Sequence, residues 1–410
     1  MIAVIHPTGN ANLRGVLAGL YGRSMLSGFY TTLGVSRAAA WLRWLPGPLR
    51  LQILRRSYDL PTGLINTRPI LGVRRLVSGR FSNIGFTRRH RNSIDQVYFD
   101  LDRHLARLIA RGRTPEGARA VYGYEDGCRD SFRAARKVGW STFYELPIGY
   151  WRAGRRIAEE EAELQPQWAT TWQALDEPPD KLARKDEELA LADRVFAASS
   201  FTRETLKEAP SNLKTVEIIP YGAPACRSVV PVSRKPGEPL RALFVGGLSQ
   251  RKGLSYLFSA VESLGGSVRL TLIGRKPAGC KILDEHLARH NWIASLPHEQ
   301  LIDEMGRHDV LVFPSLFEGF GLVILEAMSQ GLPVITTAHT AGPDILTEGS
   351  DGFVVPIRSA EGIAGKLSLL YEDPDLLEAM KVQAVATARQ WTWEKYQDRV
   401  ATALSAALSD

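Results

Sequence analysis

Phe313-Pro-Ser-Leu-Phe-Glu-Gly-Phe-Gly-Leu-Val-Ile-Leu-Glu-Ala-Met-Ser-Gln-Gly-Leu-Pro-Val-Ile-Thr336 carries a strand end, a glycine-bracketed loop, a helix and the next strand in one run. The preceding Asp309-Val-Leu-Val-Phe313 is short, apolar and β-rich, which predicts a buried parallel strand. Gly321 to Gln330 reads as a helix ended by Gly331, and Leu332-Pro-Val-Ile-Thr-Thr337 opens the following strand. In such a unit the free N–H groups of the first helical turn point out of the carboxyl edge of the sheet, and the helix dipole favours an anion there. Two carboxylates flank this phosphate seat: Glu318 precedes it, and Glu326 in the second turn leans back toward it. A carboxylate repels phosphate but accepts hydrogen bonds from hydroxyls. The simplest ligand with both parts is a nucleotide sugar. The bland alternative is an acidic helix start with a solvated second glutamate, and the spacing of the two glutamates does not by itself exclude it.

Working outward, the second half repeats the same grammar. Leu243 to Gly247, Val268 to Ile273, Trp292 to Ala294, Val310 to Phe313, Val334 to Thr336 and Phe353 to Val355 read as strands with helices between them. The first half offers Met1 to Ile5, Ala118 to Tyr122, Trp140 to Tyr144, Val195 to Ser200 and Val216 to Gly222, with long insertions. Ala223 to Leu240 is irregular and holds Pro224, Pro231, Pro236 and Pro239, as an interdomain linker does. The expected fold is α/β, with two doubly wound Rossmann-like domains facing a central cleft. Residues 1–222 form the acceptor-side domain, 223–240 the linker, 241–392 the nucleotide-sugar domain and 393–410 a terminal helix.

The motif Pro314-Ser315, Glu318-Gly-Phe-Gly321, Glu326-Ala-Met and Gly331-Leu-Pro-Val334 resembles the retaining glycosyltransferases of family 4, which share the two-domain GT-B architecture. The resemblance is strong across the second half of the chain and weaker across the first. It implies that Glu318 contacts the transferred sugar, that Glu326 holds the ribose hydroxyls, and that the backbone of Phe320, Gly321 and Leu322 binds the diphosphate side. It also implies that the terminal helix crosses back to the N-terminal domain. Gly246-Gly-Leu-Ser-Gln-Arg-Lys-Gly253 follows the first strand of the second domain, and Lys252 stands where the family carries its diphosphate-binding lysine. Gly247 occupies the place where a more typical member has an arginine, so Arg251 is expected to supply that charge. In the absence of a metal, cations and backbone N–H groups must stabilise the departing diphosphate. The base is expected beside Gly274-Arg275-Lys276 and Ala294-Ser295-Leu296, where backbone contacts dominate and cannot choose uridine from guanosine.

On the opposite wall, His6 to Asn12 corresponds to the family's N-terminal glycine loop. Gly9 permits close backbone approach, while Asn10 and Asn12 are candidates for helix capping or for touching donor and acceptor. At Phe143-Tyr-Glu-Leu-Pro147 many members carry a histidine that contacts the donor sugar; here Tyr144 and Glu145 stand instead. Glu145 is expected to accept a hydroxyl hydrogen bond or to cap local structure. Glu125 and Asp126, at the preceding strand end, are weaker candidates, and no oxygen-ligand set for a metal is legible.

Charge is unevenly spread. Met1 to Ile94 holds fourteen arginines against one acid, Asp59, giving +13 in a chain of net +7. This asymmetry points to an anionic partner or to arginines solvating helix faces. Trp41-Leu-Arg-Trp-Leu45 and Leu49-Arg-Leu-Gln-Ile-Leu-Arg-Arg56 mix aromatic, apolar and basic residues as interfacial segments do. No nucleic-acid motif accompanies the charge. The chain enters a strand directly, has no apolar run near the length of a membrane span, and scatters Cys128, Cys226 and Cys280. A cytoplasmic protein at the inner membrane face is the expectation. The functional reading is a retaining hexosyltransferase that moves a sugar from a UDP- or GDP-linked donor, without a further cofactor, to a saccharide or lipid-linked acceptor in polysaccharide biosynthesis. The rivals are a nucleotide-sugar epimerase or phosphorylase on the same fold, or an inactive anion-binding relative.

Overall fold

The computed structural model describes the chain except residues 46, 71–93, 173–176, 211–212, 227–233, 235–236 and 410. Arg74, Arg75, Arg80, Arg88, Arg89 and Arg91 of the basic stretch therefore lie outside the described residues, as does much of the 223–240 linker.

Each half builds a parallel sheet. In the first, β1 (Ile2–Ile5), β2 (Leu26–Thr31), β3 (Ile65–Thr67), β4 (Ala120–Tyr124), β5 (Ser141–Leu146), β6 (Arg194–Ala197) and β7 (Val216–Ile218) lie in the order β3-β2-β1-β4-β5-β6-β7. In the second, β8 (Leu240–Val245), β9 (Val268–Ile273), β10 (Asn291–Ile293), β11 (Val310–Phe313), β12 (Val334–Thr337) and β13 (Gly352–Val355) lie in the order β10-β9-β8-β11-β12-β13. Every described ladder is parallel. The order reverses at β1 and at β8, so each half has a switch point where loops from the first and fourth strands diverge and leave a crevice. The central strands are continuous apolar runs because both faces are covered by helices.

Three sequence readings are corrected in the first half. β4 and β5 run to Tyr124 and Leu146, beyond the expected Tyr122 and Tyr144, and β6 stops at Ala197 where Ser199 caps the next helix. β2 and β3 were not expected as strands. Ser27-Gly28 breaks the apolar run of β2, yet the strand pairs on both sides, and Gly28 leaves room for the Asn66 side chain.

The C-terminal helix Trp393–Ala407 packs on the helix Ala11–Gly22 of the first half. Two glycines one turn apart make this close approach: a Cβ on Gly15 would stand 2.6 Å from the Tyr396 ring, and one on Gly19 would stand 2.4 Å from the Gln397 carbonyl. At the crossing, Ala223 bridges to Thr392 and donates its N–H to the Trp391 carbonyl at 2.6 Å.

Candidate functional site

The β11 end and its loop meet the first half at one point. Gly319 sits so close to Pro147 that a Cβ would stand 1.9 Å from the Pro147 oxygen and 2.6 Å from Ile148 Cα. The Gly319 carbonyl accepts from Thr202 Oγ1 at 3.0 Å and from Ser199 Oγ. Beside it Phe317 packs against Phe201, with Gly149 and Gly154 giving the ring its space. A second clasp closes the far side. Glu161, 2% exposed, accepts from Gln250 Nε2 at 2.7 Å, Tyr256 OH at 2.9 Å and Arg358 Nε at 2.8 Å. A buried carboxylate of the first half is tolerated there because three donors of the second half satisfy it.

Between these contacts the second half presents its charged cluster. Arg251 and Lys252 form the short turn Gln250–Lys252 after β8, and both reach Glu318 in the loop after β11. Lys252 Nζ contacts Glu318 Oε2 directly and lies 4.5 Å from the centroid of the Phe313 ring. Arg251 Nη1 donates to the Phe317 carbonyl at 2.8 Å and stands 3.5 Å from Glu318 Oε2. Burial and then the neighbouring Arg251 pull the Lys252 ammonium well below its usual range, and the touching Glu318 carboxylate opposes this. Gly321, at φ +82°, adopts the left-handed conformation that starts the helix Leu322–Ser329. Leu322 and Val323 thus carry first-turn N–H groups with no intrahelical acceptor. Phe320 is buried against Tyr221, with ring centroids 5.1 Å apart, and offers this region its backbone.

Glu326 lines a separate cavity of about 320 Å³ with Ala11, Gly222, Pro224, His298, Leu322 and Trp393. Burial raises the Glu326 carboxyl above its ordinary range, and His298, 3.9 Å away, opposes this. His298, the first residue of its helix, was not singled out in the sequence, because a histidine opening an exposed helix has no distinctive pattern. Gly247 is exposed with open space around its Cα, and Ser295 is exposed in the loop after β10.

In the first half, one of the alternatives for Asn10 is met and Glu145 lies away from the cleft. Asn10 caps its helix, its Oδ1 accepting the Leu13 N–H at 2.8 Å, while also lining the cavity described below. Glu145 does not reach the cleft. It is 2% exposed and accepts from Asn12 Nδ2 at 2.8 Å, Tyr122 OH at 2.5 Å and Tyr221 OH at 2.7 Å. The residue beyond its strand end, Pro147, is half-buried and lies against Gly319 instead. Burial raises the Glu145 carboxyl, and the three donors oppose that. Gly9 lies against the Tyr58 hydroxyl, where a Cβ would stand only 2.6 Å away.

His6, Thr8, Asn10, Tyr98, Asp126, Pro147 and Lys181 are among the residues around a second cavity, of about 340 Å³. Pro147 belongs both to this cavity and to the contact with Gly319, next to Glu318.

The family model for "Glycosyl transferases group 1" matches residues 229–387. A D-inositol 3-phosphate glycosyltransferase of Nocardia farcinica is 26% identical over 320 residues, which cover 71% of this chain and 68% of that protein. One from Streptomyces griseus is 30% identical over 212 residues, covering 47% of this chain and 45% of its own length. The chain thus spans between about half and two thirds of these relatives. Among solved structures, sucrose-phosphate synthase from Thermosynechococcus elongatus superposes with a TM-score of 0.63 at 17% identity, covering 100% of this chain and 99% of that one. Anabaena Alr3699/HepE, solved with UDP and glucose, superposes with a TM-score of 0.60 at 16% identity, covering 98% and 99%. The chain therefore has the two-domain GT-B fold of these solved structures, and its residues 229–387 match the group 1 glycosyl transferases.

Proposed function

We propose that the protein is a retaining glycosyltransferase whose donor is a nucleoside-diphosphate sugar held on the wall formed by Lys252, Arg251, Glu318 and Glu326. The observation that carries this reading is the convergence of Arg251 and Lys252 on Glu318 beside the Gly321-initiated helix. Glu318 pairs with both cations and offsets part of their charge. A bound diphosphate would take over that pairing, leaving the Glu318 carboxylate to accept hydrogen bonds from the sugar hydroxyls. The Leu322 end of the helix offers N–H groups to the phosphates. Glu326, beside His298, is placed to accept from ribose hydroxyls in its own cavity. Gly247 and Ser295 leave open backbone for the nucleotide, and Gly9 and Asn10 border the acceptor side.

In the reaction, the bond from the anomeric carbon to the diphosphate breaks as the acceptor oxygen bonds to the same face, and the acceptor proton passes to the departing diphosphate oxygen. Lys252 and Arg251 stabilise the charge that grows on that oxygen. This path needs no protein base, which agrees with a Glu145 enclosed by three donors.

The acceptor is a saccharide or lipid-linked saccharide, approached from a cytoplasmic membrane face. Two features favour that location: Trp44 is 81% exposed and Trp41 48%, with Arg43 packed over Trp44, in the basic stretch. No helix among the described residues is long and apolar enough to cross a membrane. Salt-sensitive sedimentation with anionic vesicles, lost in Trp41→Ala/Trp44→Ala, tests this location.

A thermal-shift screen of nucleotide sugars tests the donor reading. A ligand at about 100 times its dissociation constant stabilises by about 2.7 kcal/mol. UDP-sugars are the first to try, since a solved neighbour holds UDP. A chain unshifted by every UDP- and GDP-sugar is not this enzyme.

A further inference from the structure

The cavity of about 340 Å³ on the first half is bordered by a loop held in an unfavourable shape. Asp126 adopts φ +70°, the left-handed region that a non-glycine residue takes at a cost. Two fully buried carboxylates hold the loop and the helix start after it. Glu188 accepts the N–H groups of Asp126 at 2.8 Å, Cys128 at 3.0 Å and Arg129 at 3.1 Å. Asp102 accepts those of Asp130 and Ser131, both at 2.8 Å. Arg184, 3% exposed, bonds to both acids. Burying two carboxylates and an arginine to fix one loop is costly, and its result is to present Glu125 and Asp126 to the cavity.

Each of these two side chains keeps one oxygen without a hydrogen bond. Glu125 has a side chain only 9% exposed and lines the cavity, yet its Oε1 has no hydrogen-bond partner; neither has Asp126 Oδ1. Buried polar atoms are nearly always hydrogen-bonded, so two acceptors without a hydrogen bond on one cavity wall point to donors that arrive from outside. The cations there are already matched. Lys181 pairs with Asp95 at 3.2 Å, Asp126 at 3.4 Å and Glu177 at 2.8 Å, and Lys185 pairs with Glu177 at 2.9 Å, Glu125 at 3.5 Å and, more distantly, Asp126 Oδ1 at 4.0 Å. Four carboxylates against two ammonium groups leave a wall that repels a phosphate and accepts from hydroxyls. Tyr98 supplies an aromatic face beside His6, their ring centroids 6.2 Å apart.

We infer that this cavity is the subsite for the acceptor's reacting ring, and that it takes an uncharged, hydroxyl-rich saccharide or polyol rather than a phosphorylated one. The inference rests on the transferase reading above and deepens it, because Pro147 joins the cavity wall to the Gly319 loop beside Glu318. It also sets this chain apart from relatives named for an inositol phosphate acceptor.

The test is saturation-transfer NMR on the full chain with UDP present, using methyl α-glucoside, methyl α-mannoside and myo-inositol as probes, each beside a phosphorylated counterpart. A calorimetric titration of UDP runs in parallel. The expected result is a signal from at least one neutral ring, none from its phosphate, and about ten-fold weaker ring binding in Glu125→Gln and Asp126→Asn with UDP affinity unchanged. Asn tolerates the left-handed conformation, so the second variant keeps the loop. No signal from any neutral ring, a stronger signal from the phosphorylated rings, or undiminished binding in both variants overturns the inference. Failure of UDP to bind the wild type would instead remove the donor reading, so the two failures are distinguishable.

Discussion

The two walls of the cleft are built from the same parallel-sheet grammar and carry opposite electrostatics. At the carboxyl edge of the second sheet, Arg251 and Lys252 outnumber Glu318, and a helix N-terminus adds its positive end. At the edge of the first sheet, Asp95, Glu125, Asp126 and Glu177 outnumber Lys181 and Lys185. One edge suits an anionic leaving group and the other suits hydroxyls. The difference shows that a doubly wound sheet fixes where a ligand lies, while the few residues after each strand fix its chemistry.

The comparison breaks most visibly at Lys252. If it meets the developing charge, Lys252→Ala removes about 2.7 to 4 kcal/mol of transition-state stabilisation, a loss in kcat read by single-turnover kinetics. Unchanged turnover in Lys252→Ala and Arg251→Ala would move the diphosphate elsewhere. Glu326→Ala comes next. Losing charge-assisted bonds to ribose costs about 1.5 to 3 kcal/mol of nucleotide affinity, measured by titration.

Gly319→Ala tests whether the walls must touch. Its Cβ would strike the Pro147 oxygen, so the halves must part or strain by about 1 to 3 kcal/mol, seen as a lowered melting temperature. Smallest is a pH effect on the acidic wall. Burial raises the Glu125 carboxyl to about 7. A folded pKa above the unfolded one contributes stability that is full below about 4.5 and is lost as pH rises through 7. Glu125→Gln should therefore lose less stability than wild type between pH 4.5 and 8 in parallel denaturant titrations. Equal pH slopes would show that Glu125 is not the titrating group.

How much of this was legible differs between the walls for physical reasons. Val268–Ile273 and Val310–Phe313 are unbroken apolar runs covered on both faces, so their extents could be read directly. The Glu318 to Glu326 segment is local, and its parts lie within a few turns of one another. Glu145 shows the opposite case. Its partners Asn12, on the helix Ala11–Gly22, and Tyr221, in a loop, lie 133 and 76 residues away, and nothing in Phe143 to Pro147 reveals that they converge to bury it. The strained Asp126 loop was equally hidden, because it is held by Glu188 and Asp102 from two other helices.

The most direct test of the donor wall is calorimetric titration of UDP and GDP into the wild-type chain and into Glu326→Ala. The expected result is one-to-one binding of at least one nucleotide to wild type, weakened about ten-fold or more in the variant. Absence of binding by both nucleotides, or binding that is indifferent to Glu326, would contradict it.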